Sequence, residues 1–277
     1  MIEHEFLNWL SNQLEIKNST LIEKDLYLQG MLIALAQSNY FSEHFAFKGG
    51  TCLTKAYFGY YRFSEDLDFT WMHSYTFEKK SANQIRKLIS SEINTLMELF
   101  AMIAEKNNLD FKPQKSNKHY VQLGGSNRFT TFKFWYTESN TNKETFIKIQ
   151  LNFAEKLIHQ PEKHTLQAIA TSHKKDIQFL FPAYYPMATQ ATACYCYDLK
   201  EIAAEKIRAI LTRRGTKARD YVDLYMLNQK GITISSVKEN AMTKTQFMLG
   251  YEKYAQNLSK KTFNEKIELG KEENLLI

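Results

Sequence analysis

The chain has 277 residues, of which 44% are hydrophobic and 24% charged, and its net charge is +6. This composition is typical of a globular protein and excludes a disordered chain, while four prolines and ten glycines exclude a collagen-like protein. Three cysteines without a CxxC pair exclude a disulfide framework and a cysteine-rich zinc module.

Targeting signals are absent from the sequence pattern. Residues 1–6 show no basic region followed by an apolar one, so no signal peptide is expected. No stretch approaches about eighteen apolar residues, the length that a membrane helix needs. We therefore expect a cytoplasmic protein with no membrane partner. The mild basic excess slightly favours a nucleic-acid or nucleotide partner.

The chain opens with two predicted helices. Residues 4–16 place Phe6, Leu7, Leu10 and Leu14 on one helical stripe. A second helix is predicted to begin at Thr20, with Glu23 completing a capping box, and to run to about residue 37.

An α+β region is predicted next. Residues 45–48 indicate a strand that ends at Gly49 and Gly50, residues 51–57 a helix, and residues 66–71 a second strand. A long amphipathic helix follows over 78–107. The last part holds three predicted strands at 119–123, 129–136 and 145–153, the first two joined by a glycine-rich turn.

The second half of the chain is predicted to be mostly helical. Residues 192–197 indicate a strand, and Asp198 with Glu201 predicts a capping box that begins a helix to about residue 214. Further helices are predicted over 219–227 and most of 235–275. We therefore predict two domains, with the helical preface and α+β core in 1–155 and a mostly helical domain in 156–277.

Asp66 and Asp68 are the first candidate site residues. Residues two apart on a strand point to the same side, so both carboxylates project together. Adjacent carboxylates repel unless a cation neutralises them, and hard oxygen ligands suit Mg²⁺, or Mn²⁺ in its place. Such ions activate an attacking oxygen and stabilise a leaving pyrophosphate. The alternative is a pair of solvated charges at a strand edge.

Gly49 and Gly50 form the second candidate. A strand, a Gly-Gly turn and a helix beginning at Thr51 present backbone N–H groups to an anion, and glycine lets a phosphate approach closely. Lys48, Lys55 and Arg62 add positive charge nearby in the sequence. The alternative is an ordinary tight turn.

These two motifs in this order are typical of the polymerase-β-like nucleotidyltransferase fold. Lys-Gly-Gly-Thr at 48–51, followed by Arg-Phe-Ser-Glu-Asp-Leu-Asp-Phe at 62–69, closely resembles the first motif of the AbiEii/AbiGii-type toxin nucleotidyltransferases. The resemblance implies a mixed sheet with flanking helices and nucleotide transfer from an NTP to an acceptor such as tRNA. It also implies a toxin of bacterial phage defence that a separately encoded antitoxin restrains.

The second half carries the rest of the resemblance. The family has a helix with a lysine, a basic loop and an Arg-Asp-x-x-Asp-Leu helix, which match Lys206, residues 212–218 and residues 219–224. Lys206 and Arg213 share a helix face that could reach triphosphate oxygens. Asp220 and Asp223 also share a face. We assign Asp223 to the site and Asp220 to a structural pair with an arginine, and the alternative is that both only tie two helices together.

The predicted catalytic residues are therefore Asp66, Asp68, Lys206 and Asp223, with Asp66 and Asp68 as metal ligands. The predicted phosphate- or nucleotide-binding residues are Lys48, Gly49, Gly50, Thr51, Arg62, Ser64 and Arg213. Ser64 lies two residues before Asp66 and is either a turn residue or, if phosphorylated, a charge switch. Tyr57, Tyr60 and Tyr61 are candidates for stacking on a base.

One departure from the family pattern leaves alternatives open. A third carboxylate is expected on a neighbouring strand, but the corresponding face of 147–152 carries Lys148, Gln150 and Asn152. Asp66 and Asp68 could hold the metal with substrate alone, or Asp223 could complete the set. Two rival functions are an NTP- or RNA-binding module without turnover and a metal-dependent phosphodiesterase.

Overall fold

A computed structural model describes residues 1–215, 217–262 and 275. The chain divides into two compact units. Among the described residues, the first consists of Met1–Glu155 and Lys163–Cys196, and the second of Lys156–Glu162 and the residues from Tyr197 onward. The predicted division at residue 155 stays a prediction, and the compact units differ from it in where they place 163–196.

The first unit contains most of the described elements. Its helices are α1 His4–Leu14, α2 Ser19–Gln37, α3 Asn39–His44, α4 Gly49–Cys52, α5 Ala82–Lys106, α6 Lys174–Leu180 and α7 Tyr185–Thr189. A π-helix, Leu53–Phe58, continues α4, and 3₁₀ turns span Ser74–Phe77, Thr171–His173 and Pro182–Tyr184. The strands are β1 Phe45–Lys48, β2 Asp66–Trp71, β3 Val121–Gly124, β4 Phe129–Thr137, β5 Glu144–Asn152, β6 Glu162–Leu166 and β7 Thr192–Cys196.

The seven described strands form one mixed sheet in the order β3-β4-β5-β2-β1-β7-β6. Strand β2 pairs parallel with β5 and antiparallel with β1, while β1 pairs parallel with β7. Strands β3, β4 and β5 form an antiparallel meander, whose first turn is the predicted one at 124–127. This mixed sheet with flanking helices confirms the α+β class.

The sheet has a buried face and a half-exposed face in its β3–β5 part. Alternate residues of β4 are buried, and Phe132 lies 4.8 Å from the ring of Phe100 on α5. On the same face, Tyr136 packs 4.4 Å from Tyr27 on α2. Since side chains alternate along a strand, the residues between them point to the opposite, half-exposed face.

The second unit is helical in its described part. Its helices are α8 Leu199–Thr212, α9 Ala218–Gln229, α10 Lys238–Leu249 and α11 Glu252–Ser259, with a 3₁₀ turn at Ser235–Val237. The helix prediction for 235–275 agrees with α10 and α11, and residues 263–274 lie outside the described residues. None of the helices described here is long and apolar enough to cross a membrane.

Both predicted capping boxes are wrong, because their glutamates find tertiary partners. Glu23 is buried and accepts hydrogen bonds from the backbone N–H and the hydroxyl of Ser139. Asp198 does cap α8 by accepting a hydrogen bond from the Lys200 N–H at 2.7 Å. Glu201, however, forms a fully buried ion pair with Lys244 at 2.7 Å.

Candidate active site

The carboxylates of Asp66 and Asp68 lie on one face of β2. Both residues are half-exposed, whereas Leu67 and Phe69 between and after them are buried on the other face. In the sheet register, Asp66 is paired with Lys148, and Asp68 is paired with both Gln150 and Lys48. Directly paired residues share a face, so these five side chains belong to one surface.

Lys148 and Gln150 occupy the strand positions where a third carboxylate was expected. The Lys148 ammonium lies 3.3 Å from Asp66 Oδ1 and forms a half-exposed ion pair with it. Part of the negative charge of the carboxylate pair is therefore compensated by a neighbouring strand. Within the described residues, no group of three or more His, Cys, Asp or Glu side chains could hold a metal ion.

Gly49 and Gly50 lie where side chains of the site approach the backbone. Gly49 has a φ of +76°, and a Cβ added there would lie 2.5 Å from Asp68 Oδ2. A Cβ at Gly50 would clash with the Arg62 guanidinium. A side chain at Gly49 or Gly50 would therefore force the Asp68 carboxylate or the Arg62 guanidinium to move, and at Gly49 the positive φ adds backbone strain.

Thr51 and Thr54 connect this segment to its surroundings. The Thr51 hydroxyl donates to the Asp66 carbonyl oxygen at 2.6 Å, and the Thr54 hydroxyl donates to the Gly50 carbonyl oxygen at 3.1 Å. Thr51 therefore fixes the glycine pair against the start of β2. Ser64 is half-buried and lies two residues before that strand.

Arg62 is a buried cation beside the glycines. It is only 1% exposed, and it donates a hydrogen bond from Nη1 to the Phe63 carbonyl oxygen at 2.7 Å. Its guanidinium also lies 5.6 Å from the centre of the Tyr61 ring. The predicted phosphate-binding arginine is thus held in a fixed position.

Glu155 is a site residue that the sequence analysis missed. It is buried and accepts hydrogen bonds from Lys48 Nζ at 3.3 Å and from Asn152 Nδ2 at 2.8 Å. Asn152 shares the face of Lys148 and Gln150, so Glu155 adds an acid near the Asp68 end of that face. The sequence signal was an acid just after β5, beyond the strand positions that were searched.

Lys55 and Tyr60 belong to a buried polar cluster with Asp25 of α2. The Lys55 ammonium lies 2.9 Å from Asp25 Oδ1, and the Tyr60 hydroxyl donates to Asp25 Oδ2 at 2.8 Å. Burial lowers the pKa of Lys55, although Asp25 opposes the shift, and burial raises the pKa of Tyr60. The hydroxyl of Tyr60, one of the three predicted stacking residues, is therefore held by Asp25 inside the protein. Tyr57, another predicted stacking residue, packs its ring 4.6 Å from His164.

The second unit contains the remaining predicted residues. Lys206 lies 2.9 Å from Asp220 Oδ1 and 2.6 Å from Asp223 Oδ2, and Arg213 Nη1 lies 2.5 Å from Asp220 Oδ2. The expected pair between Asp220 and an arginine is present. Asp223, however, is fully buried and binds the same ammonium as Asp220, so the contacts do not separate a structural from a functional carboxylate.

The charges of this cluster decide the pKa of Asp220. Burial by itself would raise the pKa, but the nearby charges of Lys206 and Arg213 outweigh burial and hold it below its usual value. Asp220 is consequently ionised at neutral pH and neutralises part of the positive charge of both cations.

The sequence matches one known protein family over most of its length. A family model described as "Nucleotidyl transferase AbiEii toxin, Type IV TA system" matches residues 33–268, which is most of the chain. No curated protein matches the chain.

Several solved structures, MenT4 and JHP933 among them, are similar to the chain. MenT4, a nucleotidyltransferase toxin from Mycobacterium tuberculosis H37Rv, matches with a TM-score of 0.59 and 18% identity, covering 90% of this chain and 73% of that chain. JHP933 from Helicobacter pylori matches with a TM-score of 0.43 and 15% identity, covering 92% of this chain and 87% of that chain. The likeness to MenT4 confirms the nucleotidyltransferase fold.

Proposed function

Because the chain belongs to the nucleotidyl transferase AbiEii toxin family of type IV toxin–antitoxin systems, we propose that it transfers a nucleotide from an NTP to an RNA acceptor. We favour tRNA as that acceptor. Membership makes the chain a nucleotidyltransferase toxin that uses an NTP and a divalent metal and has a separately encoded antitoxin. We propose in addition which acceptor and which metal the enzyme uses, and which residues bind the substrate and the metal.

Asp66 and Asp68 are proposed to hold the metal, and we favour Mg²⁺. The donor set fits this ion, since Mg²⁺ binds through one or two carboxylates and takes further oxygen ligands from water and substrate phosphates. When bound, the ion would neutralise triphosphate charge and favour attack on the α-phosphorus. The observation that carries the proposal is the pair of half-exposed carboxylates beside the close-packed Gly49 backbone.

The glycine segment and its cations are proposed to bind the triphosphate. Backbone N–H groups at Gly49 and Gly50 would face phosphate oxygens, and Arg62 and Lys48 would supply positive charge. Thr51 would act by holding these glycines in place, because its hydroxyl already donates to Asp66. Ser64 remains a candidate contact at the start of β2.

In the reaction, the acceptor hydroxyl oxygen forms a bond to the α-phosphorus while the bond to the bridging oxygen of pyrophosphate breaks. The hydroxyl proton passes to water, and the pyrophosphate leaves with the bonding electrons. We propose that Lys206 and Arg213 of the second unit supply positive charge for phosphate binding, as the family pattern implies, with Asp223 orienting Lys206 through their 2.6 Å ion pair.

The biological role proposed is arrest of bacterial growth during phage infection, restrained by the antitoxin. Modification of tRNA would stop translation throughout the cell. A cytoplasmic location belongs to this proposal, since NTPs and tRNA are found there.

The test is incubation of the purified protein with α-labelled NTPs, Mg²⁺ and total tRNA, followed by a denaturing gel. The wild type should give labelled, lengthened RNA. Asp66→Asn and Asp68→Asn should each lower transfer by about a hundredfold or more, as loss of a charge-stabilising group typically does. Asp176→Asn, which changes an exposed aspartate on α6, is the matched control and should retain activity.

Two results would contradict the proposal. Equal labelling of RNA by the wild type and by Asp66→Asn would show that Asp66 does not hold a metal needed for transfer. Shortened RNA without incorporated label would support a phosphodiesterase instead.

A further inference from the structure

The half-exposed face of strands β3, β4 and β5 continues from the carboxylate pair. In the sheet register, Lys133 is paired with Lys148, and Lys148 with Asp66. The next row joins Gln122, Thr131, Gln150 and Asp68 in the same way. Because paired residues share a face, we call this surface, with Trp135 and Phe146 one row further, the β3–β5 face.

Aromatic rings form one end of the β3–β5 face. Trp135 is paired with Phe146, and their ring centres lie 4.6 Å apart. The exposed His119 ring stacks parallel on Trp135 at 4.1 Å and 4°. Two residues along a strand advance about 6.6 Å, so these rings lie one row from Lys133 and Asp66.

Positive charge accompanies the rings. The ammonium groups of Lys133 and Lys148 lie 5.0 and 5.7 Å from the centre of the Phe146 ring. The segment 112–118, which leads into His119, adds the exposed Lys112 and Lys118. Lys115 does not contribute to this face, because its ammonium donates to Ser90 on α5, which packs on the opposite face of the sheet. The rows through Asp66 and Asp68 contain no further carboxylate. The acids at the aromatic end are Glu144, paired with Thr137 one row beyond Phe146, and Asp110, which is bridged to Trp135.

We propose that the β3–β5 face binds the single-stranded end of the acceptor RNA and leads its terminal hydroxyl toward Asp66 and Asp68. This inference rests on the proposed function and names the surface that the acceptor uses. A base would stack on the His119 and Phe146 end, while backbone phosphates would lie near Lys133. Aromatic rings on a positively charged sheet surface bind unpaired bases in this way.

A single strand fits this surface better than a duplex. Bases in a duplex are stacked on one another and cannot lie on His119 or Phe146, whereas unpaired bases expose their faces. The surface is also continuous with the carboxylates that the transfer reaction needs.

The experiment measures binding of a short, fluorescein-labelled single-stranded RNA and of an RNA duplex of the same length. The test variant is His119→Ala/Lys133→Gln. The matched control is His4→Ala/Lys175→Gln, which removes the same groups from exposed helical positions of the same unit. Affinity for an NTP with Mg²⁺ reports on folding and on the triphosphate site.

We expect the wild type to bind the single strand more tightly than the duplex. The test variant should lose about tenfold in single-strand affinity, and its salt dependence should fall by about 0.7 in slope for the missing charge. The control should behave like the wild type, and all three proteins should bind the NTP equally. In the transfer assay, the test variant should raise KM for RNA and leave kcat nearly unchanged.

Unchanged single-strand affinity and KM in the test variant, with RNA labelled by the wild type, would overturn this inference and leave the proposed function intact. Preference for the duplex would also overturn it. If the wild type labels no RNA, or labels a protein, the proposed function fails and the inference fails with it. Should the double variant lose NTP affinity, the single variant Lys133→Gln decides by the same readouts.

Discussion

At the scale of single residues, Gly49 joins backbone geometry to the candidate chemistry. Its φ of +76° favours glycine, and its Cα faces the Asp68 carboxylate. Gly59 has the same φ, but a Cβ there would meet nothing within 4 Å. Substitution at Gly59 therefore reports the free-energy cost of backbone strain alone, and substitution at Gly49 adds the cost of the contact with Asp68.

We predict that Gly59→Ala loses about 1–3 kcal/mol of unfolding free energy, because a φ of +76° with a ψ of −171° strains any residue that has a side chain. Gly49→Ala should lose at least as much, because its Cβ would also meet Asp68. Gly49→Ala should in addition displace Asp68 and lower transfer by about tenfold or more. Urea unfolding and the RNA-labelling assay measure the two effects. Equal activity of the two variants would show that the Gly49–Asp68 contact is irrelevant to catalysis.

The acid-base behaviour of Asp220 gives a second prediction at this scale. Its folded-state pKa lies below its usual value of 3.8, so the ionised carboxylate stabilises the folded chain above that pH. The contribution is lost as pH falls through the folded pKa. Asp220→Asn should therefore lower stability at neutral pH and flatten the loss of stability below about pH 4.

The measurement is the free energy of urea unfolding as a function of pH. Asp176→Asn provides the comparison, since that aspartate is exposed. Parallel pH profiles for wild type and Asp220→Asn would contradict the assigned role of Lys206 and Arg213.

At the scale of elements, a buried ion pair ties α2 to the π-helix that follows the glycine segment. Lys55 and Asp25 are both buried, and Tyr60 shares the carboxylate. Breaking a buried pair leaves an uncompensated charge, whereas replacing both partners by apolar residues restores much of the loss. The ion pair lies next to the candidate phosphate site, because the π-helix Leu53–Phe58 directly follows α4. π-helical turns are often found at functional sites.

Lys55→Met should therefore cost about 3–5 kcal/mol of unfolding free energy, and Asp25→Leu/Lys55→Met should recover most of that cost. Chemical denaturation of the two variants and the wild type tests this. A double variant as unstable as Lys55→Met alone would mean that packing, and not charge, dominates the site.

At the scale of the whole molecule, the family assignment predicts toxicity. Expression of the wild type in bacteria without an antitoxin should arrest growth, and Asp68→Asn should restore it. Asp176→Asn, expressed to the same level on an immunoblot, should stay toxic. Growth arrest by Asp68→Asn at equal expression would separate toxicity from the carboxylate chemistry.

Local sequence patterns were sufficient to predict the two strands that flank the glycine motif, the second of which carries the aspartates. Strands β1 and β2 have the predicted bounds of 45–48 and 66–71, because alternating apolar residues and flanking glycines are local signals. Strand β6 was not predicted, since Glu-Lys-His-Thr-Leu has no apolar alternation and its pairing is provided by the rest of the sheet.

The sequence by itself determined the family, the α+β class and the residue types of the candidate site, since these depend on short motifs. Only the tertiary structure decided the partners of the buried charges. Glu23 binds Ser139, Glu201 binds Lys244, and Glu155 binds Lys48 across large sequence separations. A buried carboxylate is stable only with a donor or cation beside it, and which one is nearest depends on how distant segments pack.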